Sequence, residues 1–156
     1  MILRLAILLV CAVGFSQSGK HYSKTYYENG NLKAEGWLLN ESKTDYWYFY
    51  NTDGSLNAKG SYSDDKKNGY WYFYAADEQL LKEGHYKNDE AADWWIFHKP
   101  GGISEKVQFK YGSRQGYALI YKNGTLFKAE RYKNDILTGS WTSVSQFKKD
   151  NPNARF

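Results

Sequence analysis

The chain of 156 residues has one cysteine, two prolines and one methionine. Its cysteine, Cys11, lies in the opening segment MILRLAILLVCAVGFSQ, so the remaining residues offer no disulfide and no thiolate chemistry in any compartment. Long apolar runs are also missing after that segment. The Leu5–Val13 run is far shorter than the roughly 20 residues a membrane-spanning helix needs. With Arg4 before it and small residues after it, it reads as a secretory signal, residues 1–16, cleaved after Ser16. An uncleaved anchor and a lipoprotein attached through Cys11 are the alternatives, although Val10 and the continuing apolar run disfavour lipidation. Cleavage removes Arg4 and takes the net charge from +4 to +3. No block of Lys and Arg exceeds two residues, which argues against nucleic acid as a partner. No stretch between Tyr22 and Trp141 carries a 3.6-residue helical period.

Aromatic residues are abundant: 15 Tyr, 6 Trp and 8 Phe. They recur with a fixed period. Trp47–Tyr70 (WYFYNTDGSLNAKGSYSDDKKNGY) is followed at once by a near copy, Trp71–Trp94 (WYFYAADEQLLKEGHYKNDEAADW). A repeat of this length marks a tandem array of one supersecondary unit. Asn29-Gly30, Asp53-Gly54, Asp77-Glu78, Gly101-Gly102 and Asn123-Gly124 punctuate the units at intervals of 22 to 24 residues. Asn-Gly and Asp-Gly between apolar positions signal hairpins because both residues tolerate positive φ. Each unit has a first strand of the Trp47–Tyr50, Trp71–Tyr74, Trp95–His98 or Ala118–Tyr121 type. A second strand runs from Leu32, Leu56, Leu80, Ile103 or Leu126, with Gly36, Gly60 and Gly84 marking bulges or close backbone approach. The polar returns Asn40–Asp45, Ser63–Gly69, Lys87–Asp93, Gly112–Gly116 and Lys133–Gly139 join the units. The fold class is all-β: an elongated, twisted antiparallel meander of about ten strands over residues 25–141. Residues 17–24 form an unstructured polar lead-in, and residues 142–156 a C-terminal cap or frayed tail.

The pattern Gly-Tyr-Trp-x-Phe-Tyr-x-x-Asp-Gly-x-Leu-x-x-x-Gly-x-Tyr resembles the bacterial variant of MORN repeats. Gly69-Tyr70-Trp71, Gly116-Tyr117 and Gly139-Ser140-Trp141 match its Gly-x-Trp strand start, and Asn29-Gly30, Asp53-Gly54 and Asn123-Gly124 match its turn. Asp93 in place of Gly, and Val107-Gln108 in place of the mid-strand Gly, depart from it. The resemblance implies an elongated sheet used for binding or scaffolding, with some bacterial members labelled antitoxins of toxin–antitoxin systems.

Alternation across a strand places Trp47/Phe49, Trp71/Phe73 and Trp95/Phe97 on one face as the apolar seam. The opposite face carries Tyr46, Tyr48, Tyr50, Tyr70, Tyr72, Tyr74, Trp94, Ile96 and His98, with Tyr121 in the equivalent place of a later unit. Hydroxyl-bearing rings suit a half-wet surface that grips a partner. These tyrosines, Trp94, His98 and Tyr121 are the candidate binding residues. The alternative is cross-strand packing with the hydroxyls in water. Spacing offers no zinc site, phosphate loop or nucleophile elbow. Asp64-Asp65, Asp89-Glu90 and Asp93 stack along one edge in a way that admits calcium, but Lys66-Lys67 and Lys87 mark ordinary solvated loops. No catalytic residue, metal or cofactor is expected. The leading expectation is an exported, non-enzymatic module that binds a protein partner in the periplasm, outer envelope or extracellular space. Carbohydrate or cell-wall recognition through the aromatic rows is the alternative, and membrane-surface association is disfavoured.

Overall fold

The structure, a computed structural model, describes residues 19–154, so the signal segment, its cleavage point and Cys11 lie outside the described residues. Eleven antiparallel strands form one open sheet whose order is the order of the chain. They are β1 (Lys20–Tyr26), β2 (Leu32–Leu39), β3 (Ser42–Tyr50), β4 (Leu56–Ser63), β5 (Lys66–Tyr74), β6 (Leu80–Lys87), β7 (Glu90–Lys99), β8 (Ile103–Lys110), β9 (Ser113–Lys122), β10 (Thr125–Lys133) and β11 (Ile136–Trp141). A short helix, α1 (Val144–Asp150), closes the described chain. The all-β meander is therefore as expected, with one correction. Strand β1 starts at Lys20, inside the stretch read as a lead-in, because Lys20–Tyr26 pairs along β2. The tail contains a helix capped by Ser143, whose hydroxyl accepts from the Gln146 N–H.

In the first three units the hairpin turns lack the double positive-φ geometry expected of them, and the returns adopt it instead. The returns are two-residue turns with both central residues at positive φ: Asn40-Glu41 (49°, 67°), Asp64-Asp65 (49°, 61°), Asn88-Asp89 (52°, 68°), Tyr111-Gly112 (52°, 77°) and Asn134-Asp135 (49°, 65°). This is the type I′ geometry, whose twist matches that of the flanking strands. At Asn29-Gly30 and Asp53-Gly54 only the glycine has positive φ, 85° and 91°. There the chain makes a longer loop with a Gly30 N–H to Tyr27 carbonyl bond of 3.0 Å, repeated from Gly54 to Asn51. Asn29 and Asp53 instead accept the N–H two residues on, at 3.0 and 2.9 Å, as Asn and Asp do in Asx turns. Asp77-Glu78 keeps this form, with Glu78 at φ 63° in the glycine's place. Both positions are left-handed at Gly101-Gly102 (77°, 71°) and at the shorter Asn123-Gly124 turn (50°, 78°).

The core is a row of tryptophans laid over glycines. Gly36 pairs with Trp47, Gly60 with Trp71 and Gly84 with Trp95. A methyl group on any of these glycines would overlap the facing indole ring. Beside each pair the longer strand bulges, and the residue that makes the bend is left-handed: Asp45 (53°), Gly69 (84°) and Asp93 (57°). Asp93 thus does the work of the glycine it replaces, since a short polar side chain tolerates this conformation. The bulge leaves a carbonyl that the indole satisfies. Trp47, Trp71 and Trp95 donate to the carbonyls of Trp37, Ser61 and His85, each at 2.9 Å. Phe49 and Phe73 stack between successive indoles at 5.9 to 6.2 Å. Tyr62 and Tyr86 stand edge-on to Trp71 and Trp95 at 5.1 and 4.9 Å. Although the sheet is one layer thick here, Trp71 is only 1% exposed. Its cover comes from side chains on its own face. Each buried aromatic stabilises by roughly 2–3 kcal/mol.

In the fourth unit the pair becomes Val107 opposite Ala118, both buried, so the loss of Gly and the loss of Trp compensate. Beyond it Glu130 occupies the glycine position and offers an indole no seat. Trp141 accordingly does not follow Trp71. Its register against β10 places it opposite Ala129, on the other face of the sheet.

Candidate functional site

The tyrosine face is built along a ladder of directly opposed residues: Lys24, Glu35, Tyr48, Lys59, Tyr72, Glu83, Ile96, Lys106, Leu119, Ala129 and Trp141. Tyr48 and Tyr72 are two strand spacings apart across Lys59, about 9.5 Å. Tyr46 and Tyr48 meet at 5.2 Å and Tyr70 and Tyr72 at 5.0 Å between ring centroids. The Lys59 ammonium lies 5.2 Å over Tyr72 and 5.6 Å over Tyr74. Of the expected residues, Tyr46, Tyr48, Tyr72 and Tyr74 therefore gather around this lysine, and Tyr50 and Tyr70 extend the half-exposed patch toward Glu35 and Glu83.

The carboxylates of the patch are already engaged. Glu35 is 3.1 Å from Lys24 and accepts the Tyr50 hydroxyl at 2.8 Å. That bond holds the Glu35 carboxyl below its usual range. Burial, helped by Glu35, pushes the Tyr50 phenol up to about 12. Burial and the nearby Glu83 do the same for Tyr70. His98 is exposed and its Nε2 lies 3.4 Å from Glu83. Ser104 stands opposite it on β8, and no group of three His, Cys, Asp or Glu suited to a metal ion occurs among the described residues.

Trp94 and Tyr121 belong to a different environment. They pack with Tyr117 and Trp141 against the buried cluster of Leu119, Ala129 and Phe147. Phe147 comes from α1 and meets Tyr117 and Trp141 edge-on at 5.6 and 5.3 Å. Buried Asn151 fixes the helix end, accepting from the Tyr117 hydroxyl at 3.2 Å and donating to the Phe147 carbonyl at 3.0 Å. The indole of Trp141 donates to Asp150 at 2.9 Å. The far end of the tyrosine face is thus covered by the chain's own C-terminal segment.

The acidic returns are also accounted for. Asp65 accepts the Lys43 N–H, and Asp89 the Lys67 N–H, each at 2.8 Å. The backbone bond lowers the Asp65 carboxyl from its ordinary range. These side chains tie each return to the one before it.

Sequence reasoning missed the cations of the tryptophan face. Lys67 sits 5.1 Å over both Trp71 and Tyr86, and burial lowers its ammonium from the usual range. Lys43 lies 5.6 Å over Trp47 and Tyr62. Their 24-residue spacing in the repeat was the available signal. Among the described residues no helix is long and apolar enough to cross a membrane. No protein-family model matches the chain, and no curated protein matches it.

Proposed function

We propose that the chain is an exported, non-enzymatic repeat module that binds a protein partner through its tyrosine face. One observation carries this reading: the same face that receives α1 over β9–β11 has no cover over β3–β6 among the described residues. Phe147 gives an intramolecular example of what this surface accepts, an apolar side chain from a helix set edge-on against aromatic rings. The open patch offers six tyrosines for similar contacts. At its centre Lys59 rests on aromatic rings, whereas Glu35 and Glu83 already face Lys24 and His98. A partner carrying an acidic group beside apolar anchors fits that chemistry. The amphipathic character of tyrosine suits such contacts, since each ring brings apolar area at small entropic cost.

The test is affinity capture from envelope extract after cross-linking, comparing the wild type with Tyr48→Ala/Tyr72→Ala. Circular dichroism verifies that the variant keeps its sheet. A protein retained by wild type and lost by the variant supports the tyrosine face. Equal capture by both moves the contact to turns or edges. Capture of glycan or of nothing overturns the protein-binding reading.

A further inference from the structure

We propose that β11 is a pairing edge and that two copies of the chain join through it, β11 against β11, into one continuous antiparallel sheet. Among the described residues each inner strand has two hydrogen-bonded neighbours, whereas β1 and β11 have one each. An unpaired edge is a template for another strand, and proteins guard such edges with charge, above all lysine. The two edges of this sheet differ in that respect. Strand β1 (KHYSKTY) carries Lys20, paired with Asp45, and Lys24, paired with Glu35. Strand β11 (ILTGSW) carries no charge, and Ile136 and Leu137 are 69% and 50% exposed.

Helix α1 does not protect this edge. It turns inward over the face, placing Phe147 on Leu119, Ala129 and the ring of Trp141 and tying Asn151 to Tyr117 and Arg131. Those partners lie on β9, β10 and the side chain of Trp141, all on the face of the sheet, and β11 has no second strand neighbour among the described residues.

A second copy is the occupant that suits the strand. Antiparallel self-pairing of an uncharged segment sets no like charges opposite each other. With Ile136 opposite Trp141 of a second copy, Leu137 falls opposite Ser140. Register with β10 places Ile136, opposite Lys133, and Trp141, opposite Ala129, on the same face. The pair is then a cross-strand contact of an aromatic with a β-branched residue, a favourable combination. Pairing of this kind is isologous and closes at two copies. Head-to-tail addition of β11 to β1 would instead extend without limit, against the lysines of β1.

Sedimentation velocity over a concentration series tests the proposal. The expected mass rises from one chain to two and no further. Leu137→Lys/Ser140→Lys sets lysine opposite lysine in both symmetry-related pairs and should abolish the dimer. Leu137→Lys/Ser140→Glu sets opposite charges across the same positions and should restore it. Circular dichroism of both variants checks the sheet. Amide exchange offers a second measurement: β11 amides that face away from β10 should exchange more slowly as wild-type concentration rises. A single-chain mass with fast-exchanging β11 amides overturns the proposal. So does a mass that keeps growing, or a dimer that survives the lysine pair.

Discussion

The repeats from β2 to β7 and the C-terminal end from β8 to α1 solve one problem in opposite ways. In the repeats, burial is achieved on a single face by setting the largest side chain over the smallest residue. The geometry recurs three times, with the same 2.9 Å indole bond. At the C-terminal end Val107 and Ala118 replace that pair, and the core moves across the sheet to Leu119, Ala129 and Phe147. A repeat can rely on its neighbour for cover, but the last one has none. It draws its cover from a helix, as terminal units of such arrays require a different cap.

Four measurements would break or sharpen this contrast. Trp71→Ala should have the largest effect, about 3–5 kcal/mol, because the indole seals the central seam and satisfies the Ser61 carbonyl. Denaturant melts should show the loss as a global shift. Phe147→Ala should cost about 3 kcal/mol locally, with amide exchange rising in β9–β11 while β2–β7 keep their protection. If both variants melt the whole sheet alike, the two halves are one cooperative unit and the contrast fails.

Gly60→Ala should cost about 1–3 kcal/mol through overpacking against the Trp71 ring. Combined with Trp71→Leu it should cost less than the two changes summed, since the smaller side chain vacates the clash. The same alanine at Val107 should show no such coupling to Trp71. The fourth measurement is a pH titration. Burial pushes the phenols of Tyr50, Tyr62 and Tyr70 to about 12. Their folded state favours the protonated form, so this contribution is complete below the ordinary tyrosine range and falls as pH rises from about 10 toward 12. All three lie in the repeats, so alkaline loss of β-sheet signal should begin there, with phenolate absorbance lagging a model tyrosine.

Much of this architecture is legible in the sequence because a strand's period of two and a 24-residue repeat both act locally. The Trp/Phe seam and the tyrosine face follow from that alternation alone, and so does the grouping of Tyr46 through Tyr74. What was not legible depends on register or on contacts between distant segments. Asp93 looks like a defect until its φ of 57° shows that it bends the strand as Gly69 does. Trp141 has the same spacing from its return as Trp71, yet it turns to the opposite face. A shift of one residue in pairing reverses the side chain, and here Glu130 blocks one seat while Phe147 and Asp150 supply another. Trp94 and Tyr121 read as surface residues because their cover, α1, lies more than 20 residues further along the chain.

Strand order equal to chain order has a mechanical consequence. The described chain begins at one lateral border of the sheet and finishes by the other, about 48 Å away for ten strand spacings. Tension applied between those points runs across the strands rather than along them, so it loads the hydrogen bonds a few at a time. The molecule should yield by peeling, one hairpin after another at low force, like a zip and unlike a sheared clamp. Each peeled unit can close again without disturbing the rest. Such a body is a compliant spacer, able to lengthen in steps of one repeat under load and to recover when the load is removed.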